Sequence, residues 1–432
     1  MSERTLKTVQ IASLLVSTSC GTGFLLGTGE LALNGGMAGC LYAIASAVGL
    51  LALAAFARGL STTRHSIWTR LDQIYGRSVG RVVASLSLVW MTGVLAAQIR
   101  GGTAVLTLAG IGPTAALVLV DLLLICLSTS RLSWLAAGFA ICMLACNVVL
   151  VRTLFLTDGL GVWLHAPVQF LDGLHGTTLD HTGLTVASVV LMVICGADYQ
   201  QFLIAARTPA MARNGCLLAA GFVFLIGFLP ASAVVAASPV WNLQRLADPV
   251  QVIPVVLMHT LSGHSANMAR KLVIVVLLTT ALGAGCSILR AMTDATASLG
   301  PRSAARPIWS RVLPIALGTL VARHGQSLID MMIDLNMVYI SAVGPLVAVT
   351  LANRRIPDRW ASATLAIGGC IAIAIYFARW TGLTIIQEDN PIIASFLLLL
   401  VITILLWRRS TVYLENGRAE DPTLTMIQPP RP

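Results

Sequence analysis

The chain has 432 residues, 56% of them hydrophobic and only 11% charged, with a net charge of +10. Soluble domains average about 25% charged residues, so a water-soluble fold of this composition would lack a polar coat. The basic residues are scattered through short loops rather than gathered in a patch, which excludes a nucleic-acid-binding surface and assigns them to setting orientation in a membrane.

Mean hydropathy is +0.84, and apolar runs of roughly 20 residues recur along the chain, the signature of membrane-spanning helices. Closed barrels need short alternating strands, and these runs are continuous, so the expected fold is an all-α polytopic membrane protein. The N-terminal MSERTLK does not read as a cleavable signal. Twelve candidate spans follow, near 9–33, 36–57, 82–109, 112–129, 132–156, 183–206, 212–238, 270–292, 308–323, 328–351, 360–380 and 391–407. The ninth is short and bracketed by Arg311 and Arg323.

With the N-terminus inside and loops assigned alternately, the inner side holds 21 of the 28 basic residues. The outer side keeps seven: Arg100, Arg152, Arg245, Arg270, Lys271, Arg323 and Arg379. That bias supports an even span count with both termini cytoplasmic, in a bacterial inner membrane.

The expected organisation is a cytoplasmic N-terminus at 1–8, a first five-helix repeat at 9–156 and an outer loop at 157–182. A second five-helix repeat at 183–351, two extra helices at 352–408 and a disordered tail at 409–432 follow. The outer loops carry Trp163, His165, Asp172, His175, Asp180 and His181, then Trp241, Asp248, His259 and His264. Their spacing fits no metal site, and they read as solvated loop residues. The nine Cys lie in or beside apolar runs without metal or disulfide spacing.

Two spans contain helix-breaking sequence. The centre of span 1 reads Ser17-Thr18-Ser19-Cys20-Gly21-Thr22-Gly23, and span 6 carries Gly196-Ala197-Asp198-Tyr199-Gln200-Gln201. Glycine weakens a helix by about 1 kcal/mol against alanine, and hydroxyls can satisfy the backbone groups that a break frees. Interruptions five spans apart point to an inverted-repeat transporter with its binding site between them. Gly27 and Gly29 read equally as part of the break or as close-packing positions.

At these residues the chain resembles the sodium:solute symporter family, whose members share the LeuT-type fold of the amino acid-polyamine-organocation superfamily; here it would be a divergent and shortened member. The resemblance is carried by Gly21 to Glu30, by Leu71-Asp72 with Ile74-Tyr75-Gly76-Arg77, by Gln98, and by Gln201 to Arg207 followed by Ala212-Arg213-Asn214-Gly215. It covers about 10–350. The chain departs from the family in beginning at the first core helix, in carrying Phe202 where an Arg usually stands, and on core helix 8. There the expected hydroxyl pair falls on Gly283 and Ala284, with Ser287 one turn on.

The resemblance implies broken helices 1 and 6 in a five-plus-five repeat, with two more helices after it. It also implies a solute site between spans 1, 3, 6, 8 and 10. Expected substrate-binding residues are Ser19, Thr22, Gly23, Phe24, Gln98, Cys195, Gly196 and Tyr339. Cation or gating residues are Ser17, Cys20, Asp198, Gln201, Thr280 and Ser287, with a Na+ site at Ser17, Cys20 and Ser287.

Ionisable groups at membrane depth are costly and read as functional by default. Asp198 leads these, ahead of Glu30, Asp121, Asp330, Asp334 and Arg100. The expected function is cation-coupled import of a small polar solute, with Na+ or H+ as coupling ion, no other cofactor, and lipids and solute as partners. A solute-binding sensor or scaffold without flux is the alternative. An enzyme is not expected, because no nucleophile–base or metal-ligand cluster shares one depth.

Overall fold

A computed structural model describes residues 6–63, 65–129, 132–174, 179–262, 266–300, 309–324, 327–352, 354–381 and 398–404. The described residues are nearly all helical. The first span is two helices, α1 (Thr8–Ser19) and α2 (Thr22–Gly35), followed by a 3-10 turn and α3 (Leu41–Thr63). A short amphipathic helix, α4 (Ile67–Tyr75), leads into the long α5 (Arg77–Leu108), then α6 (Pro113–Leu127) and α7 (Leu132–Leu156).

Two short helices, α8 (Leu160–Leu164) and α9 (Ala166–Leu174), occupy the stretch expected to be loop. The sixth span is again two helices, α10 (Leu179–Cys195) and α11 (Ala197–Ile204). Next come α12 (Pro209–Gly227) and α13 (Leu229–Trp241), then the connection with α14 (Val252–Leu261). The last described long helices are α15 (Ala266–Leu299), α16 (Trp309–Ala322), α17 (Leu328–Leu351) and α18 (Asp358–Trp380).

Local chemistry sets several starts. Pro113 and Pro209 open α6 and α12, where the missing N–H has no helical partner to lose. Thr208 Oγ1 accepts from Met211 N–H at 3.2 Å, and Ser327 Oγ accepts from Asp330 N–H at 3.1 Å, each capping a helix. Pro230 stands in the first turn of α13, where its missing N–H interrupts the helical ladder between α12 and α13.

Among the described residues, seven helices are long and apolar enough to cross a membrane, and five shorter apolar helices accompany them. The chain is therefore a multi-pass membrane protein. The 14 residues of α16 reach only about 21 Å at 1.5 Å per residue, short of the ~30 Å hydrocarbon core. It is sheltered against α5, where a Cβ at Gly318 would lie 3.1 Å from Leu95 and Ile99 side-chain atoms.

Most of span 12, the 409–432 tail, His175 and His264 lie outside the described residues, as do the side chains of Asp180 and His181. Among the Cys, Cys126 and Cys370 sit exposed on helix surfaces rather than buried.

The core is built by α5, which packs along α15 and α17, and by α3, which packs along α10 and α12. Lipid offers no hydrophobic drive between helices, so close backbone approach matters most. A Cβ at Gly93 would meet Met331 O at 2.6 Å, and one at Gly215 would meet Ile11 Cγ2 at 2.6 Å. The two readings of Gly27 and Gly29 resolve to packing. Both lie within α2, and a Cβ there would come within 2.8 Å of Ile329 and 2.4 Å of Ile253.

At the N-terminal edge, Leu6 pairs with the α11–α12 junction. Its N–H donates to Ala205 O at 3.1 Å, and Arg207 N–H donates to Leu6 O at 3.1 Å.

Gly29→Val should force α2 and α14 apart and lower stability by about 1–3 kcal/mol. Gly35→Ala, where an added Cβ meets nothing within 4 Å, should stay within about 0.5 kcal/mol of wild type. Thermal unfolding of the purified proteins in detergent checks both.

Candidate functional site

Both breaks are tighter than the sequence suggests. The first spans only Cys20 and Gly21: Cys20 ends α1 with its N–H on Val16 O, and Gly21 in extended conformation begins α2. Ser17 and Ser19 remain helical on one side, Thr22 and Gly23 on the other, so the expected unwinding over 17–23 contracts to two residues. The reason is local satisfaction. Leu25 N–H already finds Gly21 O, and Gly23 N–H finds Gln98 Oε1 at 3.4 Å. The second break is Gly196 alone, again extended.

Helix ends at membrane depth leave peptide groups without intrahelical partners. At the end of α10, Gly196 N–H donates to Met192 O at 2.7 Å. Gln200 Nε2 donates to Ile194 O at 2.8 Å, and Tyr339 Oη donates to Cys195 O at 3.2 Å. Side chains thus stand in for the missing helical turn. Gln201 Nε2 donates to Asp198 O at 2.9 Å. Asp198 itself lies in the first turn of α11, where a carboxylate suits the positive helix end.

The two breaks meet through side chains. Ser19 Oγ donates to Tyr199 Oη at 3.4 Å, joining the end of α1 to α11. Phe24 stacks on Tyr42 of α3 with centroids 6.1 Å apart, and Tyr339 tilts against Trp90 of α5 at 6.0 Å. Gln98, 3% exposed, reaches the first break from α5. Its Nε2 lies 3.3 Å and 3.0 Å from where Cβ atoms on Gly21 and Gly23 would stand, so glycine at both positions admits it.

On α15 the position facing this break is Ala284, its Cβ 3.1 Å from a Cβ built on Gly21. Thr280 Oγ1 donates back to Val276 O, and Thr22 Oγ1 reaches Leu277 O at 3.5 Å. Ser287 Oγ is buried without a partner among the described residues.

The other membrane-depth acids point elsewhere. Glu30 accepts from Leu328 N–H at 3.2 Å, capping α17. Asp121 Oδ2 accepts from Thr319 at 2.8 Å, joining α6 to α16. Asp330 accepts from Ser327 at 2.5 Å, and Asp334 faces Tyr376 of α18. Trp241 and His259 stack with centroids 5.2 Å apart, which gives that loop pair a packing role.

Several partners are not singled out by the sequence reading. Trp90 and Tyr42 sit inside unremarkable apolar runs and become visible only as neighbours of Tyr339 and Phe24. Gln200 stands in the quoted glycine stretch, but its capping role depends on where the helix stops. Asn336 donates from Nδ2 to Ser188 O at 3.2 Å, and its Oδ1 is buried without a partner.

Among solved structures, the substrate-bound outward-open state of a Na+-coupled sialic acid symporter is similar at a TM-score of 0.68. It is 14% identical, with 94% of this chain and 90% of that chain covered. A nucleobase-cation-symport-1 family transporter, closed with bromovinylhydantoin bound, is similar at a TM-score of 0.60 and 13% identity, covering 94% of this chain and 93% of that chain. The manganese transporter of Eremococcus coleocola is similar at a TM-score of 0.58 and 15% identity, covering 93% of this chain and 94% of that chain. No family model and no curated protein matches the sequence. The chain has the LeuT-type fold, with broken helices 1 and 6 as the resemblance implies.

Tyr339→Phe and Gln200→Leu each leave a buried carbonyl at the end of α10 unpaired. Each should cost about 1–3 kcal/mol, read as a lower unfolding midpoint. Gln73→Leu, at an exposed position on α4, should cost under about 0.5 kcal/mol.

Proposed function

We propose that the protein is a secondary active transporter that imports a small polar solute across a bacterial inner membrane by alternating access, as a cation symporter. The observation that carries this reading is the pair of mid-span helix breaks joined through Ser19 and Tyr199 and faced by Gln98. Interrupted helices place backbone polar groups at depth, an arrangement tolerated where they line a polar site. The likeness to a Na+-coupled sialic acid symporter, to a nucleobase-cation-symport-1 family transporter with bromovinylhydantoin bound, and to a manganese transporter supports the same reading.

In this reading Ser19, Thr22, Gly23, Phe24, Gln98, Cys195, Gly196 and Tyr339 bound the solute. Gln98 hydrogen-bonds it, and the Phe24–Tyr42 stack closes one side. Asp198 and Gln201 gate the inner half of the sixth span. The repeats run over 9–156 and 183–351, and both termini face the cytoplasm.

Na+ as co-transported ion would take the oxygens of Ser17 and Cys20 at the end of α1 together with Ser287 Oγ from α15. Ser287 Oγ fits, being buried and unpartnered; Thr280 would have to give up its bond to Val276 O. The chain's role is binding and movement, without chemical conversion of the solute.

Purified protein in liposomes should accumulate a solute from a panel of sugars, amino acids, organic acids and vitamins when an inward Na+ or H+ gradient is imposed. Gln98→Ala should reduce that uptake about tenfold, equivalent to about 1.4 kcal/mol of binding. Equal uptake with and without either gradient refutes symport, and binding without flux refutes transport.

A further inference from the structure

Asp198 is 1% exposed, and its Oδ1 has no hydrogen-bond partner among the described residues. The carboxylate folds back over the break in the sixth span. Its Oδ1 would stand 2.6 Å from a Cβ on Gly196, so glycine is what lets it lie there.

The groups around it are neutral. The titratable side chains near it are Tyr42 on α3, Tyr199 on α11 and Tyr339 on α17, with Cys20 at the first break and Cys195 at the end of α10 beside those tyrosines. No Lys, Arg or His among the described residues of α1, α3, α10, α12, α15 or α17 is a neighbour of the carboxyl. An ionised carboxylate sealed from water needs a counter-charge; the start of α11 offers the N–H groups of Asp198 and Tyr199 but no full positive charge.

A metal ion would need several oxygens around Oδ1, as Na+, a hard cation, prefers oxygen-rich cages. Two of the carbonyls freed at this break are already taken, Ile194 O by Gln200 and Cys195 O by Tyr339. No group of three or more His, Cys, Asp or Glu stands together among the described residues. A proton needs one oxygen only.

We propose that Asp198 is a proton-binding site at the break of the sixth span, its Oδ1 carrying one exchangeable proton that moves with the solute. A single O–H bond forms when the proton is taken up from one side of the membrane and breaks when it leaves on the other. The site is distinct from the oxygens of Ser17, Cys20 and Ser287. Its role in coupling rests on the transport reading, whereas the proton site can be tested without any solute.

The test is infrared difference spectroscopy of the full-length protein in lipid nanodiscs, titrated between acid and alkaline pH with no solute present. Selective 13C labelling of aspartate carboxyls identifies the residue type in wild type. The expected result is a protonated-carboxyl C=O band that shifts on labelling and titrates with pH. It should vanish in Asp198→Asn, survive in Asp121→Asn, and stay unchanged when sodium chloride replaces choline chloride. Should Asp198→Asn fail to fold, Asp198→Glu decides the matter, because its band must persist and titrate yet no longer shift on aspartate labelling. A band that ignores aspartate labelling in wild type, persists in Asp198→Asn, or is removed by sodium at constant pH overturns the proposal. If the band behaves as expected but liposomes take up no solute, the transport reading fails and the proton site stands.

Discussion

A peptide group inside hydrocarbon has no water to bond, and leaving it unpaired costs several kcal/mol. Every interrupted helix in this protein is arranged around that constraint. At the sixth-span break the freed carbonyls of Ile194 and Cys195 are met by a glutamine amide and a tyrosine hydroxyl. At the first break the N–H of Gly23 is met by Gln98. The discontinuities are therefore short and held by side chains of α5 and α17 together with Gln200 of the broken span itself.

The same arrangement explains the glycines. Gly21 and Gly23 give Gln98 room, and Gly196 gives the Asp198 carboxylate room. The placements of Gln98 and of the Asp198 carboxylate thus depend on the absence of a side chain on the residue they approach. Farther out, Gly93 and Gly215 bring backbones close enough for dispersion to replace the missing hydrophobic drive. Polar function and apolar packing are met by one residue type in two settings, which is why glycine alone does not announce which it serves.

Much of the architecture is legible in the sequence, because lipid exacts long apolar runs and punishes exceptions. The ends of α7 and α17 coincide with the apolar runs at 132–156 and 328–351, and both breaks fall inside the stretches that combine glycine with hydroxyl or amide residues. The extent of the first break is not legible, since it depends on Gln98 arriving from 75 residues away. The helices α8, α9 and α14 escaped notice because they are short and interrupted by Gly, Pro and His. Within the candidate site, the residues that touch are hidden for a similar reason. Trp90 and Tyr42 are ordinary apolar-run residues until folding sets them beside Tyr339 and Phe24, and Tyr199, though inside the quoted break, shows its link to Ser19 only in the fold. Glu30 and Asp121 look like candidates in the sequence; Glu30 caps a neighbouring helix, and Asp121 bonds Thr319 through Oδ2 while its Oδ1 is buried without a partner among the described residues.

The pairing of Leu6 with Ala205 and Arg207 gives the molecule a mechanical property that neither broken span has by itself. The strand residue is continuous with α1, and the residues it grips are continuous with α11. Two parallel backbone bonds therefore yoke the two half-helices on that side like the hands of a clasp. Parting the two half-helices there means breaking both bonds together.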